Sequence, residues 1–350
     1  MSKTVFVGMS GGVDSSVAAY ILKKQGYNVV GVFMRCFNVD GCADRDAEDA
    51  RRVAEHLSIP FYAMDFEEEY KRRVVDYMVA GYAAGLTPNP DVMCNREIKF
   101  GLFFDKARAM GVDYVATGHY VKLKKNSKGK HALYEARDKN KDQSYFLWTL
   151  TSKQLQYCLF PIGKYTKPQV RAIARRAELP TAEKKDSQGI CFIGQVRLED
   201  FLKQYIPARR GAVLTLTGEK IGEHEGAHFY TIGQRRGIGN LKHEKGNKMH
   251  EPLYVAAKNI KKNTVTVAAG SDNPALYKKE VEVLGAAPRR LPVYARVRYR
   301  QPLARAWLMR GSRAGRARLI FDKPQRFVAA GQSAVWYSKS GELLGGGVIA

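Results

Sequence analysis

A short apolar run, Thr4-Val5-Phe6-Val7, leads directly into Gly8-Met9-Ser10-Gly11-Gly12-Val13-Asp14-Ser15-Ser16 and then into an amphipathic stretch over residues 14–26. Strand, glycine-rich turn and helix in immediate succession constrain the fold more than any other feature of the chain. The glycines let the backbone turn with its amides inward, and the helix start adds positive potential, so the loop is suited to holding a phosphate. A Walker A loop is excluded, because its Gly-Lys-Ser/Thr is missing, and so is the GxGxxG of dinucleotide folds. The plainer alternative is a glycine turn capped by Asp14 or Ser15.

The same grammar continues through the first half. Asn28–Met34, Phe61–Phe66 and Asp113–Thr117 read as strands, and 44–57, 67–84 and 96–110 as helices. Such alternation predicts an α/β fold, a doubly wound parallel sheet with helices on both faces and its ligand beyond the carboxyl ends of the strands. After about residue 200 the pattern becomes short β-type runs separated by Gly, Pro, Asn and Asp: Val213–Leu216, Val265–Ala268, Val281–Leu284, Tyr294–Arg300, Ala317–Phe321 and Ala334–Tyr337. These predict a small central β-rich domain and a C-terminal β-barrel-like domain. The expected boundaries are 1–200, 201–272 and 273–350, the last placed at Gly270-Ser271-Asp272-Asn273-Pro274.

The length of 350 residues fits this division, being too great for one ordinary core. No apolar run is long enough to span a bilayer. Met1-Ser2-Lys3 leaves no room for a signal peptide before the first strand, so a cytoplasmic protein is expected. The formal net charge of +24 points to a polyanionic partner. Residues 281–350 alone carry 11 Arg and 2 Lys against Glu282, Asp322 and Glu342, and Arg suits phosphate recognition.

Five cysteines form no CxxC pair and no secreted disulfide framework. Cys94 lies in Thr87-Pro88-Asn89-Pro90-Asp91-Val92-Met93-Cys94-Asn95-Arg96, with a helical pattern beginning just after it. A helix N-terminus with Arg96 and Lys99 adjacent predicts a depressed thiol pKa, and Asp91 is a candidate acid or base. Cys191 lies in Lys184-Lys185-Asp186-Ser187-Gln188-Gly189-Ile190-Cys191, read as an accessible loop in a positive environment. Taken singly, each cysteine reads first as a structural residue rather than a catalytic one. Paired with an activating loop, one thiol could carry a persulfide and the other resolve it. Cys36 and Cys42 in an acidic loop lack a third ligand nearby, and Cys158 in the apolar run 155–160 reads as core.

Ser10–Ser16 as SGGVDSS resembles the loop of the PP-loop ATPases, which cleave ATP to AMP and pyrophosphate. Together with TPNPDVMCN, ATGHY (116–120), KDQSYFL (141–147), DSQGICFIG (186–194), YTIGQRRG (230–237) and Arg298-Tyr299-Arg300-Gln301, the chain resembles the tRNA-specific 2-thiouridylases along nearly its whole length. The resemblance implies ATP held by Gly8, Met9, Ser10, Gly11, Gly12, Val13, Asp14, Ser15, Met34 and Gly118, with Mg²⁺ beside Asp14. It implies Cys94 as nucleophile and Cys191 as persulfide carrier, with a disulfide between them after sulfur release. Asn89, Pro90 and Asp91 would meet the target base, and His119, Lys141, Asp142, Gln143, Arg298, Tyr299 and Gln332 the tRNA. It further implies a sulfur-relay or cysteine-desulfurase-type donor protein, a monomer, and no iron–sulfur cluster, which the lack of CxxC also argues against. Two other readings account for part of the sequence. A small-molecule PP-loop synthetase explains the loop but neither cysteine segment, and a non-catalytic RNA-binding protein explains the charge alone.

Overall fold

The computed structural model describes residues 2–37, 41–186, 196–238, 240–241, 251–285, 287, 290–311 and 313–350. Near-continuous apolar strands are buried on both faces, as parallel strands require: β1 (Thr4–Gly8) is buried from Val5 onward, and β2 (Asn28–Arg35) from Val29 to Phe33. Between them runs α1 (Val13–Lys24), followed after β2 by α2 (Cys42–His56), β3 (Phe61–Asp65) and α3 (Glu67–Tyr70). A π-helical turn, Lys71–Val75, joins α3 to α4 (Asp76–Ala83). Another helix starts with Pro90, the residue favoured in a first turn because its missing N–H has no partner there anyway. It comprises α5 (Pro90–Met93), a π-helical stretch Cys94–Leu102 and α6 (Phe103–Ala109). The sequence pattern placed this start six residues later, at 96.

β4 (Tyr114–Thr117) is followed by a hairpin of β5 (Lys122–Lys125) and β6 (His131–Tyr134), then α7 (Ser152–Leu155), β7 (Cys158–Leu159) and α8 (Lys167–Arg176). The five-stranded sheet has the order β3-β2-β1-β4-β7, all parallel. Chain order reverses between β1 and β4, so the crevice beyond their carboxyl ends is the switch point where such sheets bind ligands. The loop after β1 and the segment Gly118-His119 after β4 both lie there. These elements belong to the first of two compact units, Met1–Asp76, Pro90–Val196 and Lys339–Gly345.

The second unit comprises Tyr77–Asn89, Arg197–Ser338 and Gly346–Ala350. After α9 (Leu198–Lys203) come β8 (Gly211–Leu214), β9 (Lys220–His224), β10 (Asn240–Leu241), β11 (Leu253–Asn259) and β12 (Thr264–Ala269), a sheet of order β10-β9-β8-β12-β11. Then follow β13 (Tyr277–Leu284), β14 (Arg290–Arg296), β15 (Ala304–Arg310), β16 (Arg316–Arg326), β17 (Ser333–Tyr337) and β18 (Leu343–Val348), in the order β13-β16-β15-β14-β17-β18. This C-terminal sheet is an antiparallel half-barrel whose core includes Val281, Val293, Leu308, Leu319, Phe321 and Trp336. The Arg-rich stretch is explained by period-two alternation: Ala317, Leu319 and Phe321 point into the core and Arg316 and Arg318 away from it. The expected strand Tyr294–Arg300 stops at Arg296. Arg298–Gln301 is a turn closed by Gln301 N donating to Arg298 O at 3.2 Å, with Arg300 left-handed at φ 64°.

Gly118 has no room for a side chain, since an added Cβ would stand 2.6 Å from Ser15 N and 2.7 Å from Asp14 C. Gly118→Ala therefore pushes the first turn of α1 off the end of β4. Overpacking of this kind costs about 1–3 kcal/mol, and each kcal/mol lowers the melting temperature of a unit this size by about 2–4 °C. Calorimetry of the variant checks this; an unchanged melt would mean the two backbones are not in contact.

Candidate nucleotide and thiol site

The loop after β1 is built by its own side chains. Met9 N donates to Val32 O at 2.8 Å, which carries the chain across the end of β2, and Ser10 N donates to Ser15 Oγ at 3.1 Å, which folds the loop back on α1. Ser15 and Ser16 hydroxyls both donate to Gly12 O, at 3.1 and 2.9 Å. Gly11 is left-handed at φ 69°, and an added Cβ would lie 2.3 Å from Asp46 O, so α2 closes one side of the loop. Gly12 at the N-cap has no side chain to satisfy the first-turn amides of α1, which have no intrahelical acceptors either. Those amides, of Val13, Asp14 and Ser15, are free to meet phosphate oxygens, while Ser16 N already donates to Gly12 O at 3.2 Å. Met34 lies over Gly8, its Cε 2.9 Å from where a Cβ would be.

Asp14 is not an isolated carboxylate. Lys167 Nζ, at the start of α8, donates to its Oδ1 and Oδ2 at 2.8 and 2.9 Å, and Tyr120 OH to Oδ1 at 2.8 Å. Lys167 is 8% exposed and also pairs with Asp186 at 2.8 Å. Asp186 is further held by Lys141 at 2.7 Å and Arg171 at 2.8 Å. Burial pushes its pKa up, but hydrogen bonds and charge from Lys141 and Lys167 win and hold it at about 2. Lys184 is bound to Asp46 and Asp49, at 2.7 and 2.5 Å, so it does not supply free positive charge. Cys191 itself lies outside the described residues.

Cys94 departs from the sequence expectation. It begins the second turn of its helix, one turn in from Pro90, and is 6% exposed. Burial raises its pKa above the ordinary thiol value, with Asp91 adding to the rise, while Lys99 and a hydrogen bond with Tyr70 oppose it. Desolvation outweighs both the lysine and the nearby helix start. Burial also raises Asp91, against Lys99, and drives His119 well below the ordinary imidazole value, helped by Lys99. One lysine thus acts on a thiol, a carboxyl and a neutral imidazole. His119 is 8% exposed, its Nδ1 is 2.7 Å from Thr117 Oγ1, and its ring lies against Phe100 and Phe160. Asn95, beside Cys94, donates to Phe146 O at 3.3 Å and leaves its buried Oδ1 without a partner.

Several residues expected at the tRNA have internal work. Asp142, 2% exposed, accepts from Ala136 N, Ser144 N and Ser144 Oγ. Gln143 Oε1 accepts from Tyr120 N at 2.9 Å, and Lys141 serves Asp186. In the second unit Gln332 Nε2 donates to Thr87 O at 2.8 Å and Pro88 O at 3.3 Å, fixing the backbone before the 8% exposed Asn89. Arg298 is exposed on its turn, next to a half-buried Tyr299. Cys158 is core, 1% exposed, with burial pushing its thiol up to about 12. Lys167, Tyr120 and Asp186 were not singled out from the sequence; their pairing comes from three distant segments, and no local spacing signals it.

A parallel sheet whose switch point carries a lysine-backed glycine loop defines an α/β domain of the PP-loop type. Three family models match in order: "tRNA methyl transferase HUP domain" over residues 3–195, "tRNA methyl transferase PRC-barrel domain" over 199–269, and "Aminomethyltransferase beta-barrel domain" over 273–349. The chain is 45% identical over 357 residues to the tRNA-specific 2-thiouridylase MnmA of Streptococcus sanguinis, covering 99% of this chain and 94% of that one. It is equally close to that of Streptococcus thermophilus, over 361 residues, 99% of this chain and 95% of the other. The chain belongs to the tRNA-specific 2-thiouridylase family. A solved 4-thiouridine synthetase–RNA complex with bound ATP aligns at 16% identity with a TM-score of 0.36, over 59% of this chain and 50% of that one, too distant to add to the argument.

Two outcomes are expected from this geometry. Cys94 alkylation by iodoacetamide, followed by peptide mass spectrometry, should be slower at pH 7 than for a free thiol and should accelerate in Asp91→Asn, which removes a charge that raises the thiol pKa. Equal rates in both proteins would mean that Asp91 does not act on the thiol. Asp186 has a folded pKa below its unfolded one, so its stabilisation is complete above about 4 and lost as pH falls through about 2. Asp186→Asn should flatten stability against pH in that interval, read by denaturant titration.

Proposed function

We propose that the protein thiolates the wobble uridine of tRNA at position 2, using ATP to activate the base and a cysteine persulfide to supply sulfur. The observation that carries this reading is a chain of neighbours in one unit. The first turn of α1, whose amides have no side-chain cap, packs on Gly118, and the next residue, His119, feels the same Lys99 charge as the buried Cys94 thiol and the Asp91 carboxyl. Activation and thiol chemistry are both provided for in one unit. The family models' descriptions mention methyl transfer; we follow the near-full-length relatives, whose name is thiolation.

The triphosphate enters as substrate at residues 8–15. The donor set fits a magnesium ion that travels with it: Asp14 offers one carboxylate, already shared with Lys167 and Tyr120, and phosphate oxygens supply the rest. The uridine O2 attacks the α-phosphorus and pyrophosphate leaves, so a poor leaving oxygen becomes AMP. Asn89, Pro90 and Asp91 hold the base, which has to be unstacked to enter. The terminal sulfur of a Cys191 persulfide then attacks C2. Cys94, deprotonated by Asp91 and stabilised as thiolate by Lys99, attacks Cys191 Sγ. The S–S bond breaks toward the transferred sulfur, the thiocarbonyl forms and AMP departs. A Cys94–Cys191 disulfide is left, which a dithiol reductant must reduce, and a desulfurase-type donor reloads Cys191. A raised Asp91 pKa suits a base that has to take up a proton near neutral pH. The protein acts in the cytoplasm, where reductant and tRNA meet.

Nucleosides from tRNA incubated with the protein, MgATP and a persulfide donor, analysed by mass spectrometry, test the reading. ATP-dependent 2-thiouridine is expected, lost by at least about 10²-fold in Cys94→Ser, the scale for removing an activated nucleophile or its partner. With free sulfide in place of the donor, Cys191→Ser should retain part of its activity. Absence of any thiolated nucleoside with a competent donor would sink the proposal.

A further inference from the structure

The arginines of the half-barrel are less available than their number implies. Arg305 pairs with Asp322 at 3.6 Å, Arg316 with Glu282 at 3.1 Å, Arg318 with Glu280 at 2.9 Å and Arg326 with Asp272 at 2.6 Å. Among the described residues, nine exposed arginines of the same unit have no acidic partner, and three of these, Arg235, Arg236 and Arg298, belong to turns that meet at Phe327.

Arg235 and Arg236 sit on a turn that is held with unusual effort for an exposed loop. Gln234 N donates to Thr231 O at 3.0 Å, its Oε1 accepts from Thr231 N at 3.1 Å, and its Nε2 donates to Arg236 O at 3.0 Å. Gly233 N donates to Val255 O at 2.8 Å and Val255 N to Gln234 O at 3.0 Å, so the turn is docked on β11. Gly233 is left-handed at φ 84°, and an added Cβ would lie 2.4 Å from Phe327 Cγ. Phe327 is itself left-handed at φ 58°, an outlier for a bulky residue. Strain of this kind persists only where the surroundings over-determine it, and it clusters at functional positions. The Phe327 ring stacks on Tyr254 at 5.6 Å and lies 5.9 Å from the Arg298 guanidinium. One aromatic post therefore seats the turn and stands under the third of these arginines.

We propose that Arg235 and Arg236, set by the Phe327 post beside Arg298, form a phosphate-binding surface for the backbone of the tRNA. This rests on the tRNA reading above and extends it to residues to which that reading gives no role. Guanidinium groups match phosphate in a planar, two-pronged way, and contacts of this type fix the register of the nucleic acid without reading its sequence. Releasing the four paired arginines would mean breaking ion pairs first; these three need no such step.

Binding of tRNA, followed by fluorescence anisotropy from about 50 to about 200 mM salt, tests the surface. For Arg235→Ala/Arg236→Ala the slope of log affinity against log salt should fall by roughly two relative to wild type, with an unchanged melt. Arg52→Ala, an exposed arginine on α2, serves as the charge control and should leave the slope in place. Gly233→Ala keeps every charge but drives a Cβ into Phe327, so it should weaken binding where a mere count of charges predicts no change. A double variant whose slope matches that of Arg52→Ala would overturn the surface while leaving the tRNA reading intact. Wild-type protein that fails to bind tRNA would take down that reading and this surface together.

Discussion

Lys167 stands between two carboxylates from distant parts of the chain, Asp14 in the loop after β1 and Asp186 just before the Cys191 segment. An ammonium only 8% exposed needs such partners, since a buried charge left unpaired is strongly destabilising. The pairing joins α1, α8 and the chain after α8 into one arrangement. Tyr120 adds its hydroxyl to Asp14 from the segment after β4, and Lys141 and Arg171 complete the shell around Asp186. The nucleotide loop is thus tied by charge to the stretch leading toward the second thiol. The loop's own shape needs only glycine and serine; its tie to the segment around Asp186 depends on this lysine.

Thiol chemistry in the crevice is set by enclosure. Burial raises Cys94 and Asp91 and keeps His119 neutral; Lys99 opposes the rise at Cys94 and Asp91 and reinforces the neutrality of His119. A resting thiol of this sort is protected from adventitious oxidation, because the thiolate is the reactive form. In the proposed reaction, that thiol would be activated by Asp91 and Lys99, the groups whose charges already act on it. The π-helical stretch Cys94–Leu102 begins at the thiol itself, and such stretches are frequent at functional sites because the wider turn re-aims side chains.

In the second unit the distribution of charge follows from strand periodicity. Alternation puts apolar residues of β16 into the half-barrel and its arginines outside, where Glu280 and Glu282 of β13 face them across the ladder. Cross-strand pairing of this kind stabilises a sheet, so much of the basic surplus there serves the barrel. Among the described residues, the arginines without an acidic partner lie both on strands, as Arg290 and Arg310 do, and in turns such as those of Arg236 and Arg298.

The sequence by itself determined the parallel sheet, the glycine loop and its helix, and the β-rich second half, because each is written in local periodicity or in a contiguous motif. The four strands read in the first half, β1 to β4, were placed to within a residue or so, while the hairpin β5–β6 went unread; Cys158 was rightly assigned to the core. Hidden from the sequence were the start of the Cys94 helix at Pro90, the two-residue strand β7 and the end of β14 at Arg296. Only the tertiary structure decided that Cys94 is a high-pKa buried thiol, that Lys184 and Lys141 are taken by Asp46, Asp49 and Asp186, and that Asp142 and Gln143 hold backbone amides. The physical reason is common to all of these. Solvation and ion pairing depend on which distant groups come within a few ångströms, and no spacing along a chain encodes that distance.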